Sequence, residues 1–268
     1  MKISLRGVRK TFAVRGRDEP FTALDGVDLD VREGEFLTLV GPSGCGKSTL
    51  LDLIAGLAPP SAGEILIDGA PVTGPGLDRG VVFQQYALFP WRTALANVAF
   101  GLEAKPSVTK AERTERARHY LELVGLRGFE DRYPHELSGG MRQRVAIARS
   151  LAYDPDVLLM DEPFAALDAQ TRESLQEELL RIWERTGKTI VFITHGIDEA
   201  VYLGRRVAVM TSRPGRIKEV VEVDFAVREG GLRADPRFGE YRHHIWALLR
   251  EEVAAAQADE RKAAIHSG

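Results

Sequence analysis

The sequence predicts an α/β protein whose mostly parallel sheet is covered by helices on both faces. Three short apolar runs, Phe36–Val40, Val157–Met160 and Thr189–Thr194, have the length and composition of strands that are buried on both sides. Stretches with helical periodicity separate these runs, and strands that alternate with helices favour parallel pairing. A glycine-rich turn follows the first run and leads into a helix, which is the context of a phosphate-binding loop.

The N-terminal region carries strands of another kind. Ile3–Val8 and Leu24–Val31 are alternating or rich in β-branched residues, with Gly, Asp and Pro between them. A helix is predicted from about Lys47 to Ile54. Further strands are predicted at Glu64–Asp68, Gly80–Phe83 and Arg206–Met210.

Residues 95–150 are predicted to be mostly helical. Thr109–Val124 places Ala, Tyr, Leu and Val on one stripe and charged residues on the other, and Thr171–Arg185 is similarly amphipathic. The composition changes from about Phe225. We expect a C-terminal appendage there, with a helix near Tyr241–Gln257 and a frayed tail.

Composition and charge exclude several classes of protein. The chain has 268 residues, a formal net charge of -3 and a pI near 6.1, so it lacks the basic footprint of a nucleic-acid binder and no nucleic-acid partner is expected. Its single cysteine, Cys45, cannot form an intrachain disulfide. No charge-poor apolar run approaches the roughly 20 residues of a membrane helix. We expect a chain that is soluble by itself, and if it works at a membrane, other chains must hold it there.

The turn after the first buried run matches the phosphate-loop pattern GxxxxGK[ST]. Glycines let the backbone fold tightly around an anion, and amide groups at the start of the following helix can point at it. Lys47 can reach the β- and γ-phosphates, and the Ser48 hydroxyl can bind Mg²⁺. The alternative is a glycine turn that only precedes a helix. The candidate phosphate-binding residues are Gly41, Pro42, Ser43, Gly44, Cys45, Gly46, Lys47, Ser48 and Thr49.

Two carboxylates end the second buried run. Asp161 closes the strand and Glu162 follows it. Adjacent strand residues face opposite ways, so we do not expect the two side chains to share a proton. A division of roles is predicted, with Asp161 in the Mg²⁺ shell and Glu162 polarising the attacking water. Alternatively, the pair is an acidic turn at a strand end.

Leu137–Met141, read as LSGGM and followed by Arg142-Gln-Arg144, resembles the signature sequence of ABC ATPases. The other elements of that family follow the same order along the chain, and the resemblance covers roughly residues 1 to 220. Gln84 resembles the Q-loop glutamine, Asp168 ends a segment similar to the D-loop, and His195 resembles the switch histidine. Phe12 stands where the family has an aromatic residue that stacks on adenine, although simple packing would also explain it.

The resemblance implies the P-loop NTPase fold of ABC ATPases. This fold combines a RecA-like, mostly parallel sheet core with an N-terminal antiparallel β subdomain and a helical signature subdomain. We expect an ABC ATPase domain over residues 1–224, with the helical subdomain at about 88–152, and the appendage at 225–268.

The resemblance also implies a head-to-tail homodimer with ATP between the phosphate loop of one copy and the signature of the other. Ser138, Gly139 and Gly140 precede a helical stretch at Met141–Leu151, so they would offer backbone donors at a second helix N-terminus. One chain cannot readily bring both helix ends to one γ-phosphate when each lies in its own subdomain, whereas a second copy can.

Catalytic roles are carried over by position. Lys47 and the amides of Gly44 and Gly46 would cradle the phosphates. Ser48 and Gln84 would ligate Mg²⁺ with the support of Asp161, and Glu162 would act as the base or orient the attacking water. His195 would sense the γ-phosphate, and Asp168 would link the two sites of the dimer. A histidine with a purely structural role is the alternative for His195.

Finer resemblance points to the nitrate, sulfonate and taurine importers. Two transmembrane permease subunits, and indirectly a solute-binding protein, are the implied partners, and the implied location is peripheral, at the cytoplasmic face of the inner membrane. Import of a thiamine precursor or bicarbonate and a non-transport ABC switch remain alternatives. Gly196 and Ala165 depart from the Asp and Gly usual in the family. The resemblance rests on Gly74–Gln84, Leu88–Arg92, Asn97–Glu103, Met160–Phe164, Pro214–Ile217 and Asp235–Phe238.

Two further hypotheses concern single features. Tyr86–Phe100 is apolar for a segment beside a catalytic loop, and it is either core or the groove for a coupling helix of the permease, with Tyr86, Phe89 and Trp91 as contacts. Cys45 lies within the ring of amides, where thiolate would be favoured and alkylation would block hydrolysis. The alternative is a small, inert residue.

Overall fold

A computed structural model describes residues 1–13, 16, 20–225, 228 and 231–266 of the protein. The chain divides into two compact units, one formed by Met1–Pro75 with Val191–Gly268 and the other by Gly76–Ile190. The predicted helical subdomain falls inside the second unit. The predicted domain division at residue 224 stays a prediction.

The described residues form ten strands and seven α-helices. The strands are β1 (Ile3–Phe12), β2 (Phe21–Val31), β3 (Phe36–Val40), β4 (Ala62–Ile67), β5 (Ala70–Pro71), β6 (Arg79–Val82), β7 (Val157–Asp161), β8 (Thr189–Ile193), β9 (Arg206–Met210) and β10 (Ile217–Glu222). The helices are α1 (Lys47–Ala55), α2 (Ala94–Glu103), α3 (Lys110–Leu123), α4 (Gly139–Ala152), α5 (Ala169–Thr186), α6 (Ile197–Leu203) and α7 (Pro236–His266).

The first unit contains an antiparallel sheet of strand order β2-β1-β4-β5. Ile3, Leu5 and Val8 of β1 are fully buried, which explains why this alternating segment forms the central part of the sheet. In the same unit β3 pairs in parallel with β9, and β10 pairs antiparallel with β9. All five residues of β3 are buried, as expected for a strand that is covered on both faces.

The second unit joins a parallel strand pair, β6 with β7, to a group of helices. Helices α2, α3 and α4 contact one another. Their starts are fixed by side-chain caps: Thr93 accepts from the Ala96 amide, and Thr109 with Glu112 forms a capping box. Gly187 ends α5 in the left-handed conformation that glycine adopts without strain.

Three elements of the structure are not predicted from the sequence, and one helix is longer than predicted. The sequence does not signal β5, α6 or β10, because β5 and α6 are short and β10 is a half-buried edge strand with charged residues. The C-terminal helix is longer than predicted, since the backbone of α7 is helical from Pro236 to His266. The frayed tail stays a prediction, and the last two residues lie outside those that the structure describes. No helix among the residues described is long and apolar enough to cross a membrane.

Candidate functional site

In the first unit the phosphate loop runs from the end of β3 into α1. Gly44 and Gly46 have φ of 71° and 105°, left-handed values that only glycine adopts readily. The Nζ atom of Lys47 is buried and donates to the carbonyls of Gly41 and Pro42, both at 2.9 Å. The loop is therefore closed around the lysine, and it ends at the N-terminus of α1, where the first amides of a helix lack acceptors within the helix.

The thiol of Cys45 has a raised pKa, whereas the hypothesis of a favoured thiolate requires a lowered one. The residue is 1% exposed, and burial raises the pKa of its thiol, an effect that the nearby Lys47 only partly offsets. The expected lowering of the pKa is therefore wrong, because desolvation of the thiolate outweighs the positive charge beside it. A side chain at Gly41 would come within 2.8 Å of the Cys45 sulfur, so the thiol fills the inside of the loop.

His195 follows β8, next to the strand that leads into the phosphate loop. The Thr194 amide donates to the carbonyl of Leu39 at 3.2 Å, which aligns the two strand ends. The Thr194 hydroxyl accepts a hydrogen bond from the Gly196 amide at 2.9 Å and donates one to the Glu199 carboxylate. These contacts fix the backbone on both sides of an exposed imidazole.

Phe12 lies at the end of β1 with 42% of its surface exposed. It pairs with Phe21 of β2, and Lys10 lies 5.3 Å from the centre of its ring. Packing in the core does not explain this residue. An accessible aromatic face is what stacking on a base requires.

In the second unit Gln84 and the two carboxylates follow paired strands. Val82 of β6 is opposite Met160 of β7 in a parallel register, so Gln84 and Asp161 leave the same edge. In the described part of the chain, Oδ1 of Asp161 is buried and has no hydrogen-bond partner. Glu162 lies beyond the strand with a φ of 45°, so a left-handed turn, and not alternation along a strand, separates it from Asp161.

The signature lies at the start of α4 and includes its first turn. Ser138 is the N-cap and its hydroxyl accepts from the Met141 amide at 3.3 Å. Gly139 and Gly140 are the first helical residues, whose amides have no acceptor within the helix. A side chain on Gly140 would come within 2.6 Å of Thr171, so a close contact with α5 requires glycine there.

Asp168 is the N-cap of α5. Its carboxylate accepts from the Thr171 amide at 2.9 Å, and this bond lowers the pKa of Asp168. Arg172 donates to the carbonyls of Phe164 and Leu167, so it holds the segment before the cap. The D-loop residue thus begins a helix as well as carrying an exposed negative charge.

The segment after Gln84 is bound to the signature helix. Tyr86 and Ala87 have positive φ, and Arg149 of α4 donates to both of their carbonyls at 3.0 Å and 2.5 Å. A Cβ atom placed on Gly139 would lie 3.3 Å from the Tyr86 hydroxyl, so this tyrosine contacts the start of the signature helix. Sequence reasoning missed this contact because α4 is far along the chain from the Q-loop.

The aromatic residues after the Q-loop are partly exposed. Phe89 contacts Trp91 and Phe100 with ring centres 5.6 Å and 4.6 Å apart, and Trp91 is 71% exposed. Asn97, fully buried, donates to the carbonyls of Phe89, Arg92 and Thr93 and accepts from the Phe89 amide. The structure therefore holds an exposed aromatic patch (Phe89, Trp91 and Phe100) on a fixed loop.

The predicted residues fall into two groups. Phe12, the phosphate loop and His195 lie in the first unit, and Gln84, Ser138–Gly140, Asp161, Glu162 and Asp168 lie in the second. Contacts within each unit align strand ends and helix starts. The catalytic and ligand roles of these residues stay predictions.

Comparison with known proteins gives concordant results. A family model described as ABC transporter matches residues 24–165. The chain is 56% identical over 253 residues to an uncharacterized ABC transporter ATP-binding protein of Methanocaldococcus jannaschii, an alignment that covers 94% of this chain and 93% of that protein.

Relatives whose names include a substrate are nearly as similar to this chain as the Methanocaldococcus jannaschii protein. A taurine import ATP-binding protein of Pseudomonas fluorescens is 49% identical, with 92% of this chain and 94% of that protein covered. A nitrate import ATP-binding protein of Synechocystis sp. is 47% identical, with 93% and 96% covered.

Two solved structures match 83% of this chain and 99% of their own. One is a dimeric bacterial ABC transporter cassette with a TM-score of 0.74 and 37% identity. The other is a dimeric post-hydrolysis state bound to ADP and Pi, with a TM-score of 0.73 and 36% identity. The likeness confirms the predicted fold class.

Proposed function

The chain belongs to the ABC transporter family and hydrolyses ATP, and from this premise we propose that it energises import of a small anion. Taurine, an aliphatic sulfonate or nitrate is the proposed substrate. The observation that carries this proposal is the pair of taurine and nitrate import relatives, which align with more than nine-tenths of this chain. Sulfonate and nitrate groups are both small oxyanions, so one group of importers could serve both.

The residues present fit a Mg²⁺ ion bound with ATP. Hydroxyl, amide and carboxylate oxygens are ligands of this hard cation. The buried Oδ1 of Asp161 lacks a hydrogen-bond partner among the described residues and is suited to support the metal shell. Ser48 and Gln84, both exposed, would be direct ligands. When bound, the metal neutralises charge on the β- and γ-phosphates.

Chemistry at the γ-phosphate is assigned to two side chains. Glu162 orients the attacking water and accepts its proton, and His195 contacts the γ-phosphate. Lys47 holds the β- and γ-phosphates once it leaves the carbonyls that it now contacts. Phe12 stacks on the adenine.

We assign the signature to the ATP of a second copy in a head-to-tail homodimer. The first-turn amides of Gly139 and Gly140 and the Ser138 hydroxyl form an anion-binding helix N-terminus. Asp168 links the two sites. Closure of the dimer is favoured by a ligand that binds the closed state better, and loss of the γ-phosphate reopens it.

The exposed aromatic patch, together with Tyr86 just before it, is the proposed contact with the two transmembrane permease subunits. A solute-binding protein would deliver the substrate to these subunits. Exposed aromatic residues are enriched in interfaces, and Asn97 keeps this loop in one conformation. This partnership puts the chain at the cytoplasmic face of the plasma membrane as a peripheral subunit.

Deletion of the gene in the source organism tests the function. Uptake of labelled taurine, an alkyl sulfonate and nitrate is measured, each as the sole source of sulfur or nitrogen where it serves as one. We expect uptake of one of these anions to be lost and to be restored by the wild-type chain but not by Glu162→Gln. Unchanged uptake of all three would contradict the proposed substrate class.

A further inference from the structure

The turn Thr211–Arg216, called here the arginine turn, lies against the phosphate loop within the first unit. Arg213 donates from Nε to the carbonyl of Gly44 at 2.8 Å. Its guanidinium occupies the space into which a side chain at Gly44 would project. The loop glycine therefore makes room for this arginine as well as for phosphate.

A second contact fixes the same guanidinium. Its central carbon lies 5.5 Å from the centre of the Phe21 ring, in the range of a cation–π interaction. One side chain thus joins the start of β2 to the middle of the phosphate loop. An arginine suits this position because its planar group can stack and donate at the same time.

The next residues of the arginine turn hold it on β2. The Gly215 amide donates to the carbonyl of Ala23 at 2.9 Å, and the Asp25 amide donates to the carbonyl of Gly215 at 3.1 Å. A side chain on Gly215 would overlap the carbonyl oxygen of Cys45. The turn is therefore packed directly on the backbone of the phosphate loop.

Helix α7 holds the other side of the turn. Glu252 accepts from the Ser212 amide at 2.8 Å and from its hydroxyl at 3.3 Å. Lys218 of β10 pairs with Glu252 at 2.8 Å and with Glu251 at 2.6 Å. A continuous set of contacts thus leads from the C-terminal helix through Ser212 and Arg213 to Gly44.

We propose that Arg213 is a positioning residue for nucleotide binding and that α7, through Glu252, holds Arg213 in place. The bond to the Gly44 carbonyl fixes the plane of the Gly44–Cys45 peptide, so the loop amides are arranged before phosphate arrives. Preorganisation of this kind raises affinity because less order is lost on binding. The proposal rests on the proposed assignment of residues 41–49 as the phosphate loop, and it gives the C-terminal helix a role in ATP affinity.

The first test compares Arg213→Gln with Arg216→Gln in the full chain. Arg216 is the matched control, since it lies in the same turn and pairs with Asp25 but not with the phosphate loop. Dissociation constants for ADP, which is not hydrolysed, are measured by calorimetry. We expect Arg213→Gln to bind ADP about threefold to tenfold more weakly and the control to bind like the wild type.

Steady-state kinetics separate positioning from chemistry. Arg213→Gln should raise KM for ATP by the same factor and leave kcat close to the wild-type value, and Arg213→Lys should recover part of the affinity. A fall in kcat at unchanged KM, or ADP binding equal to that of the control, would overturn the proposal. Thermal unfolding of each variant is recorded to show that it folds.

The role of α7 is tested with Glu252→Ala, and Glu251→Ala on the same helix is its control. Glu252→Ala should weaken ADP binding, whereas Glu251→Ala should not. In combination with Arg213→Gln it should add nothing further, because it acts through Arg213. Additive effects would overturn the link to α7.

Lys47→Ala distinguishes failure of this proposal from failure of the site assignment. If Lys47→Ala leaves ADP binding intact, the phosphate loop has been misassigned and the proposal falls with it. If Lys47→Ala abolishes binding and Arg213→Gln matches its control, only the role of Arg213 is wrong.

Discussion

Within the phosphate loop, the Cys45 thiol is a potentially reactive group at a buried position. Burial raises the pKa of its thiol, and the thiolate is the form that reacts with alkylating agents. We predict that iodoacetamide modifies the native chain at pH 7 at least roughly tenfold more slowly than the unfolded chain. The rate should increase with pH, with a midpoint above that of the unfolded thiol, because the raised pKa delays ionisation.

The measurement is mass-spectrometric labelling across pH, with Cys45→Ala as the unlabelled control. A midpoint below that of the unfolded thiol would restore the original expectation of a reactive Cys45.

Glu162 is the residue whose replacement should separate ATP binding from ATP hydrolysis. The amide of Glu162→Gln keeps the shape of the side chain but cannot accept a proton. We predict that turnover falls by about 100-fold or more, while ATP still binds. Phosphate release and equilibrium binding are compared with those of Glu184→Gln, an exposed position on α5. Turnover near the wild-type rate would show that Glu162 is not the base.

At the scale of elements, one buried amide fixes the loop before α2. Asn97 makes its bonds to three carbonyls and one amide at a fully buried position. We predict that Asn97→Ala destabilises the protein by about 2 kcal/mol or more, since buried backbone groups lose their partners. Denaturant unfolding measures this, and Glu103→Gln, which removes the charge from the partly exposed pair with Arg92, is the control. Equal stability of the two variants would contradict the prediction.

Elements with local signals could be predicted from the sequence. Phe36–Val40 and Arg206–Met210 have the bounds that their apolar runs indicate, and the motif residues stand at strand ends or helix starts as their patterns require. The short α6 and the edge strand β10 carry no such signal. The contact of Arg213 with Gly44 joins residues 169 positions apart, and a sequence pattern does not show which distant residues meet.

At the scale of the whole molecule, the central claim is that two copies share each ATP. Within one chain, the phosphate loop is in the first unit and the signature glycines are in the second, each at a helix N-terminus. Two similar cassettes have been solved as dimers, one of them bound to ADP and Pi, so pairing of two copies has a precedent among similar proteins. The Asp168 carboxylate, exposed at the start of α5, is available for a contact with the partner.

The most direct measurement is a crystal structure of Glu162→Gln with ATP and Mg²⁺ bound. The account predicts a head-to-tail pair in which Ser138 of the partner subunit lies within hydrogen-bond distance, about 3 Å, of the γ-phosphate held by Lys47. A structure in which the triphosphate contacts one copy alone, with Ser138 of the partner subunit far from it, would contradict the shared site.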